Sequence, residues 1–201
     1  SYQTQLLAKA KVLSEQRAEA AAFLEPLVKS MLEQVGLSHA VFQVQHQILD
    51  KLAAKGLDSI KFMISTNLGM PLGSLEQVAS GGEISRIMLA IKAALAEKAS
   101  LSTLIFDEID TGISGEVALK VGRLLQKLGD DHQIICITHL PQMASRGEAH
   151  FFVYKDDSAE RTISRIRPLS PQERVQEIAV MLSSNPPTTA AIENAKMLLA
   201  Q

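Results

Sequence analysis

Asp107 and Glu108 stand directly after the apolar run Thr103-Leu104-Ile105-Phe106. Adjacent carboxylates at the end of a buried strand are costly, because burial and mutual repulsion both disfavour the charged forms. A bound cation offsets that cost and a solvated acidic turn avoids it; these residues alone leave both readings open. A second stretch, Ser80-Gly81-Gly82-Glu83, opens a helical pattern. A serine cap with glutamate three residues later makes a capping box, which accounts for Ser80 and Glu83. It leaves the glycines unexplained, since each costs up to about 1 kcal/mol relative to alanine within a helix. Bare backbone at a helix amino end suits an incoming anion, which meets free N–H groups and the positive end of the helix dipole. The third stretch is Thr138-His139, after the apolar run Ile134-Ile135-Cys136-Ile137. A histidine after a strand packs or caps more often than it reacts, so its weight depends on where the fold delivers it.

That delivery is legible in the pattern. Thr103 to Phe106 is continuously apolar, as a strand buried on both faces should be. Val117, Val121, Leu124, Leu125 and Leu128 then mark one face of a helix, and Ile134 to Thr138 a second buried strand. Strand, helix, strand at this spacing is a βαβ unit with parallel strands. Both strands then end at one edge of the sheet, where ligands of open α/β folds bind, and Glu108 and His139 share that edge.

Around this unit, residues 5–35 read as a long amphipathic helix that Pro26 should kink or split and Gly36 should stop. Val41 to His46 and Ile60 to Ser65 alternate like half-buried strands. Ile84, Ile87, Met88, Ile91 and Leu95 form a helical stripe. Phe151 to Lys155 and Thr162 to Ile166 suggest a hairpin; Pro168, Pro171, Glu173, Val175, Ile178, Ala179 and Leu182 mark a further helix, and Thr189 to Leu199 a last one.

Composition narrows the function classes. The chain has 201 residues, 46% of them hydrophobic and 21% charged, which is enough for a sizeable core. A formal net charge of −2 gives no global reason to expect a nucleic-acid or membrane surface. No apolar run reaches the roughly 18 residues of a membrane helix, no secretion signal is recognisable, and the single cysteine, Cys136, reads as a buried inert thiol suited to a reducing cytosol. His39, His46, His132 and His150 lie in no zinc-like spacing, and no Gly-x-Ser-x-Gly elbow is present.

Taken in order, Val78 to Arg86, Thr103 to Gly115 and Cys136 to Gln142 closely resemble the RecN family, in the SMC-like branch of the ABC-type ATPases. The order and spacing of the three motifs carry the resemblance, which extends from about Val41 to the carboxyl end, with the first helix matching a coiled-coil exit. It implies an α/β, P-loop NTPase-like head lobe with a mostly parallel sheet flanked by helices: residues 1–36 the root of the coiled coil, 37–201 the lobe. It implies ATP and Mg²⁺ as cofactors. Asp107 would serve the magnesium ion and Glu108 the lytic water. Ser80, Gly81 and Gly82 would touch the γ-phosphate of ATP held by a second head, with Glu83 and Arg86 supporting that loop. Asp110 would reach across the dimer, and His139 would sense the γ-phosphate. The implied partners are an N-terminal lobe, a second head in a homodimer, and DNA; the implied place is the bacterial cytoplasm at the nucleoid, with no membrane.

One departure is severe. A P-loop needs a Gly-Lys pair in Gly-x-x-x-x-Gly-Lys-Ser/Thr, and this sequence has none. The family carries that loop in a lobe beyond the coiled coil, and the opening Ser1-Tyr2-Gln3, in mid-helical pattern without Met, suggests an excised or processed segment. The competing reading is a non-catalytic module that keeps an ATPase-like fold only to dimerise or dock.

Overall fold

The computed structural model describes residues 1–77, 81–95, 102–156 and 163–200. The chain divides into two compact units, Ser1–Ser102 and Thr103–Gln201.

In the first unit, α1 (Tyr2–Gln34) starts at Ser1, whose hydroxyl accepts from the Thr4 N–H. Pro26 lies inside α1 and does not split it into two segments, one of the two outcomes the sequence left open. Proline forfeits one main-chain bond, and the turns after it are held by Val28, Leu32 and Val35, all fully buried. The helix stops where expected. Gly36 takes φ +80, and the Leu37 N–H returns 2.9 Å to the Leu32 carbonyl, a closure that favours glycine at the left-handed position.

Strands β1 (Val41–Ala53) and β2 (Gly56–Ser65) pair antiparallel from Val41↔Ser65 to Ile48↔Asp58, and the short β3 (Gly73–Ser74) adds to β2. Both long strands exceed the expected spans, because the added part of β1 is mostly exposed and that of β2 buries a charged residue, Asp58, so neither carries an apolar alternation to read. Helix α1 packs along this hairpin, so residues 1–36 form part of the first unit. Glu25 Oε1 accepts from the Val44 N–H at 2.8 Å, and Phe42 and Phe62 meet at 5.5 Å between ring centroids.

Helix α2 (Gly81–Leu95) also packs on α1. It buries Ile87, Leu89, Ala90 and Ile91, while Ile84 and Met88, expected in the buried stripe, remain more than a third exposed. Ile87 and Ile91 of the expected stripe are thus buried, together with Leu89 and Ala90 beside them.

The second unit begins with β4 (Thr103–Phe106), followed by α3 (Gly115–Gly129) and β5 (Gln133–Cys136). β4 and β5 are parallel and directly in register, Thr103↔Gln133 to Phe106↔Cys136, as the βαβ reading requires. Val121, Leu124, Leu125 and Leu128 of α3 are buried. Burial on both faces of β4 is not realised within this chain. Leu104 and Phe106 are buried, but Ile105 is 60% exposed, and Ile135 and Ile137 are exposed as well. Helix α4 (Pro141–Ala144) follows β5 and packs on α3, where a Cβ on Gly122 would lie 3.3 Å from the Gln142 carbonyl oxygen.

β6 (Phe151–Asp156) and β7 (Ile163–Pro168) form the expected hairpin, although Thr162 falls outside the described residues. α5 (Pro171–Leu182) starts with a complete Ser170/Glu173 capping box and packs on α6 (Thr189–Leu199) through Ile178, Ala179, Ala191 and Ala195. Among the described residues the parallel pairing is confined to β4 and β5, and no helix is long and apolar enough to cross a membrane.

The polar lock between α1 and the hairpin yields a pH prediction. The buried Asp58 carboxyl is held down to about 2 by Ser14, then His46 and Arg17; Arg17 Nη1 donates to Asp58 Oδ2 at 2.9 Å, and His46 Nε2 lies 3.0 Å from Oδ1. A folded value below the unfolded one stabilises fully above the unfolded value and fades as pH falls through the folded one. The wild-type melting midpoint should therefore drop between about pH 4 and about pH 2 more steeply than that of Asp58→Asn, which starts lower at neutral pH. Parallel slopes in a calorimetric pH series would remove Asp58 from this role. In the same unit, Leu32→Ala should cost about 2–5 kcal/mol in denaturant unfolding, since Leu32 is fully buried.

Candidate functional site

At the end of β4 the chain turns outward and then inward within four residues. Asp107 and Glu108 are exposed, whereas Ile109 is fully buried and Asp110 is only 3% exposed. Glu108 makes that reversal with φ +55, in the left-handed region that a non-glycine residue occupies at a cost of about 1–2 kcal/mol. The turn closes with the Thr111 N–H on the Glu108 carbonyl at 3.2 Å and the Ile113 N–H on the Asp110 carbonyl at 3.3 Å. Backbone strain of this kind concentrates where a side chain must be aimed, and here it accompanies the second carboxylate of the acidic pair.

The end of β5 arrives beside it. The Ile137 N–H donates to the Phe106 carbonyl at 3.0 Å, extending the ladder by one bond and bringing Thr138 and His139 to the turn after β4. There a single oxygen, Asp110 Oδ2, gathers the Thr138 hydroxyl at 2.6 Å, the His139 main-chain N–H at 2.9 Å and His139 Nδ1 at 3.0 Å. Thr138 Oγ1 in turn accepts from the Leu140 N–H at 3.1 Å. The His139 ring stays 75% exposed. Within the chain Asp110 turns inward, to donors that the strand pairing brings to it.

The shared edge is acidic. Cys136 records this, its thiol pushed up to about 12 by burial first and then by the charges of Asp110 and Asp107. A thiol so held is unreactive, as the sequence suggested. Among the described residues no group of three or more His, Cys, Asp or Glu side chains is arranged to hold a metal. A magnesium ion beside a nucleotide usually takes one or two carboxylates and fills its shell with phosphate oxygens and water, so an exposed carboxylate at a strand end is the kind of ligand it uses. Asp107 is the exposed carboxylate at the strand end.

In the first unit, Ser80 lies outside the described residues, so the expected cap is not described. Helix α2 begins at Gly81, which is exposed; Gly82 is buried and Glu83 half-buried. Arg86, one turn on, is 6% exposed; burial lowers its pKa, and the nearby charge of Glu83 opposes that shift. The Thr138 hydroxyl is the site group whose role sequence reasoning missed, since its bond to Asp110 spans 28 positions and leaves no local signature.

No protein-family model matches the chain. It is 39% identical over 199 residues to the DNA repair protein RecN of Vibrio cholerae, a match covering 98% of this chain and 36% of that protein. It is 45% identical over 151 residues to the DNA repair protein RecN of Bacillus subtilis, covering 75% and 26%. The chain thus spans about a third of the length of the curated relatives it matches. Among solved structures, the Smc head domain with a coiled coil and joint from Pyrococcus yayanosii superimposes with a TM-score of 0.60 at 18% identity, over 83% of this chain and 29% of that one. The fold is that of an Smc-type head domain.

The left-handed turn at residue 108 can be tested by stability alone. Glu108→Gly should unfold within about 1 kcal/mol of wild type, whereas the β-branched Glu108→Val should lose about 1–3 kcal/mol. Equal costs in urea titrations would mean that φ +55 is not the constraint.

Proposed function

We propose, from the premise that this chain belongs to the RecN family, that it is the carboxy-terminal lobe of an ATP-hydrolysing head serving DNA repair and recombination. The observation that carries this reading is the acidic pair at the end of β4, with Asp110, Thr138 and His139 bound together at the same sheet edge. When bound, Mg²⁺-ATP supplies a polarised terminal phosphate and the charge neutralisation that phosphoryl transfer needs.

This chain's own groups would divide the remaining tasks. Asp107 holds the ion-facing side of the site. Glu108, aimed outward by its strained turn, orients the attacking water or accepts its proton, a role worth about 10²- to 10⁴-fold in rate. His139 offers its outer ring edge to a terminal phosphate oxygen. Gly81 and Gly82, at the start of α2, would present main-chain N–H groups to a phosphate carried by a second head, with Ser80 belonging to the same motif and Glu83 and Arg86 steadying that turn. The phosphate cradle comes from a P-loop lobe that this sequence does not contain. The homodimer, DNA engagement and a cytoplasmic place at the nucleoid belong to the same reading.

The alternative, a docking module with an ATPase-like fold, draws support from the missing Gly-Lys pair and from the apolar side chains Ile105, Ile135 and Ile137 left open on the β4–β5 pair. It gives no reason for the strain at Glu108. Mixing this chain with the separately made P-loop lobe of a RecN relative and following phosphate release separates the two. Turnover is expected from the mixture only, and Glu108→Gln should reduce it by about 10²-fold or more while nucleotide binding persists. A stable complex without turnover, or an unchanged rate in Glu108→Gln, would overturn the ATPase reading.

A further inference from the structure

We propose that Asp110 is the positioning residue of the His139 imidazole: it holds Nδ1 inward, so that Nε2 is the ring nitrogen presented to a phosphate oxygen. This rests on the ATPase reading above for the identity of what Nε2 meets, and on the structure of the second unit for the rest.

The ring contact is more than a cap on the β5 exit. The main-chain donors of residues 139–141 are already accounted for, with the His139 N–H on Asp110, the Leu140 N–H on Thr138 Oγ1, and Pro141 having none to give. That arrangement would stand with the His139 side chain in any rotamer. Instead Nδ1 lies 3.0 Å from the same Oδ2 that holds the residue's own N–H at 2.9 Å. One buried oxygen therefore fixes both the position of residue 139 and the direction in which its ring faces.

An ionised carboxylate only accepts hydrogen bonds, so an oxygen 3.0 Å from Nδ1 favours the tautomer with its proton on that nitrogen. In the neutral ring, Nε2 is then bare and faces outward, consistent with a ring that remains three-quarters exposed. A phosphate oxygen is an acceptor too, so Nε2 donates to it only when the ring holds its second proton, and the Asp110 carboxylate behind the ring balances that charge. Orienting partners of this kind select the tautomer of a working histidine. Asp110 acts through His139 and touches no substrate itself.

The test reads ring nitrogens directly. In ¹⁵N-labelled chain, with His139 assigned by its loss in His139→Asn, the neutral ring should carry its proton on Nδ1. Asp110→Asn should shift the proton toward Nε2, while Thr138→Val, which keeps the carboxylate, should retain the Nδ1–H form. A wild-type ring protonated on Nε2 would overturn the proposal even if Asp110→Asn failed to fold. In the mixture with the P-loop lobe, Asp110→Asn should lower kcat about 10- to 100-fold with KM for ATP little changed. It should cost nothing further in a His139→Ala background; full additivity would place Asp110 in some other task and overturn the proposal. Absence of all turnover with Nδ1–H intact would sink the ATPase reading while supporting the ring geometry.

Discussion

The main-chain ladder between β4 and β5 runs from Thr103↔Gln133 to Phe106↔Cys136 and gains one bond beyond it, from the Ile137 N–H to the Phe106 carbonyl. Parallel strands cannot be joined by a tight turn; they need a crossover, and α3 provides it with a buried apolar face. Both strands consequently release their chains at one edge and at one level. Asp107, Glu108 and Asp110 on one exit, and Thr138 and His139 on the other, are neighbours for that reason. A one-residue offset in this pairing would move Thr138 and the His139 N–H away from Asp110 Oδ2, and the polar assembly would lose its acceptor.

Charge and strain sharpen what the ladder delivers. Three carboxylates fall within residues 107–110, two facing outward and one inward. The inward one is met by Thr138 and His139, whereas Asp107 and Glu108 face outward at the end of the strand. The positive φ at Glu108 separates these fates. It lets Ile109 enter the core while keeping the glutamate at the surface, so an unfavourable backbone conformation is held by the burial of its neighbour.

The first unit relies on a different device. Its long helix is held against the β1–β2 hairpin partly by a fully buried Asp58 shared among Ser14, Arg17 and His46. Nothing local announces this group, because Ser14 and Arg17 come from α1 some forty positions away and His46 from the paired strand. The same limit explains the hairpin's underestimated length and the persistence of α1 through Pro26. A polar strand and an interrupted helix are decided by what lies across from them, and a window of sequence contains only its own residues.

By itself the sequence determined the element types and the parallel βαβ unit. Apolar periodicity reports burial, and the spacing between two apolar runs leaves a crossover helix as the connection. It also determined which side chains could do chemistry, since acids, glycines and a histidine at strand and helix ends have few other reasons to be there. Only the tertiary structure decided that Asp110 faces inward, that one oxygen meets both the backbone N–H and the ring of His139, and that Ile105, Ile135 and Ile137 are exposed. Direction and burial depend on through-space neighbours, and those exist only once the strands have paired.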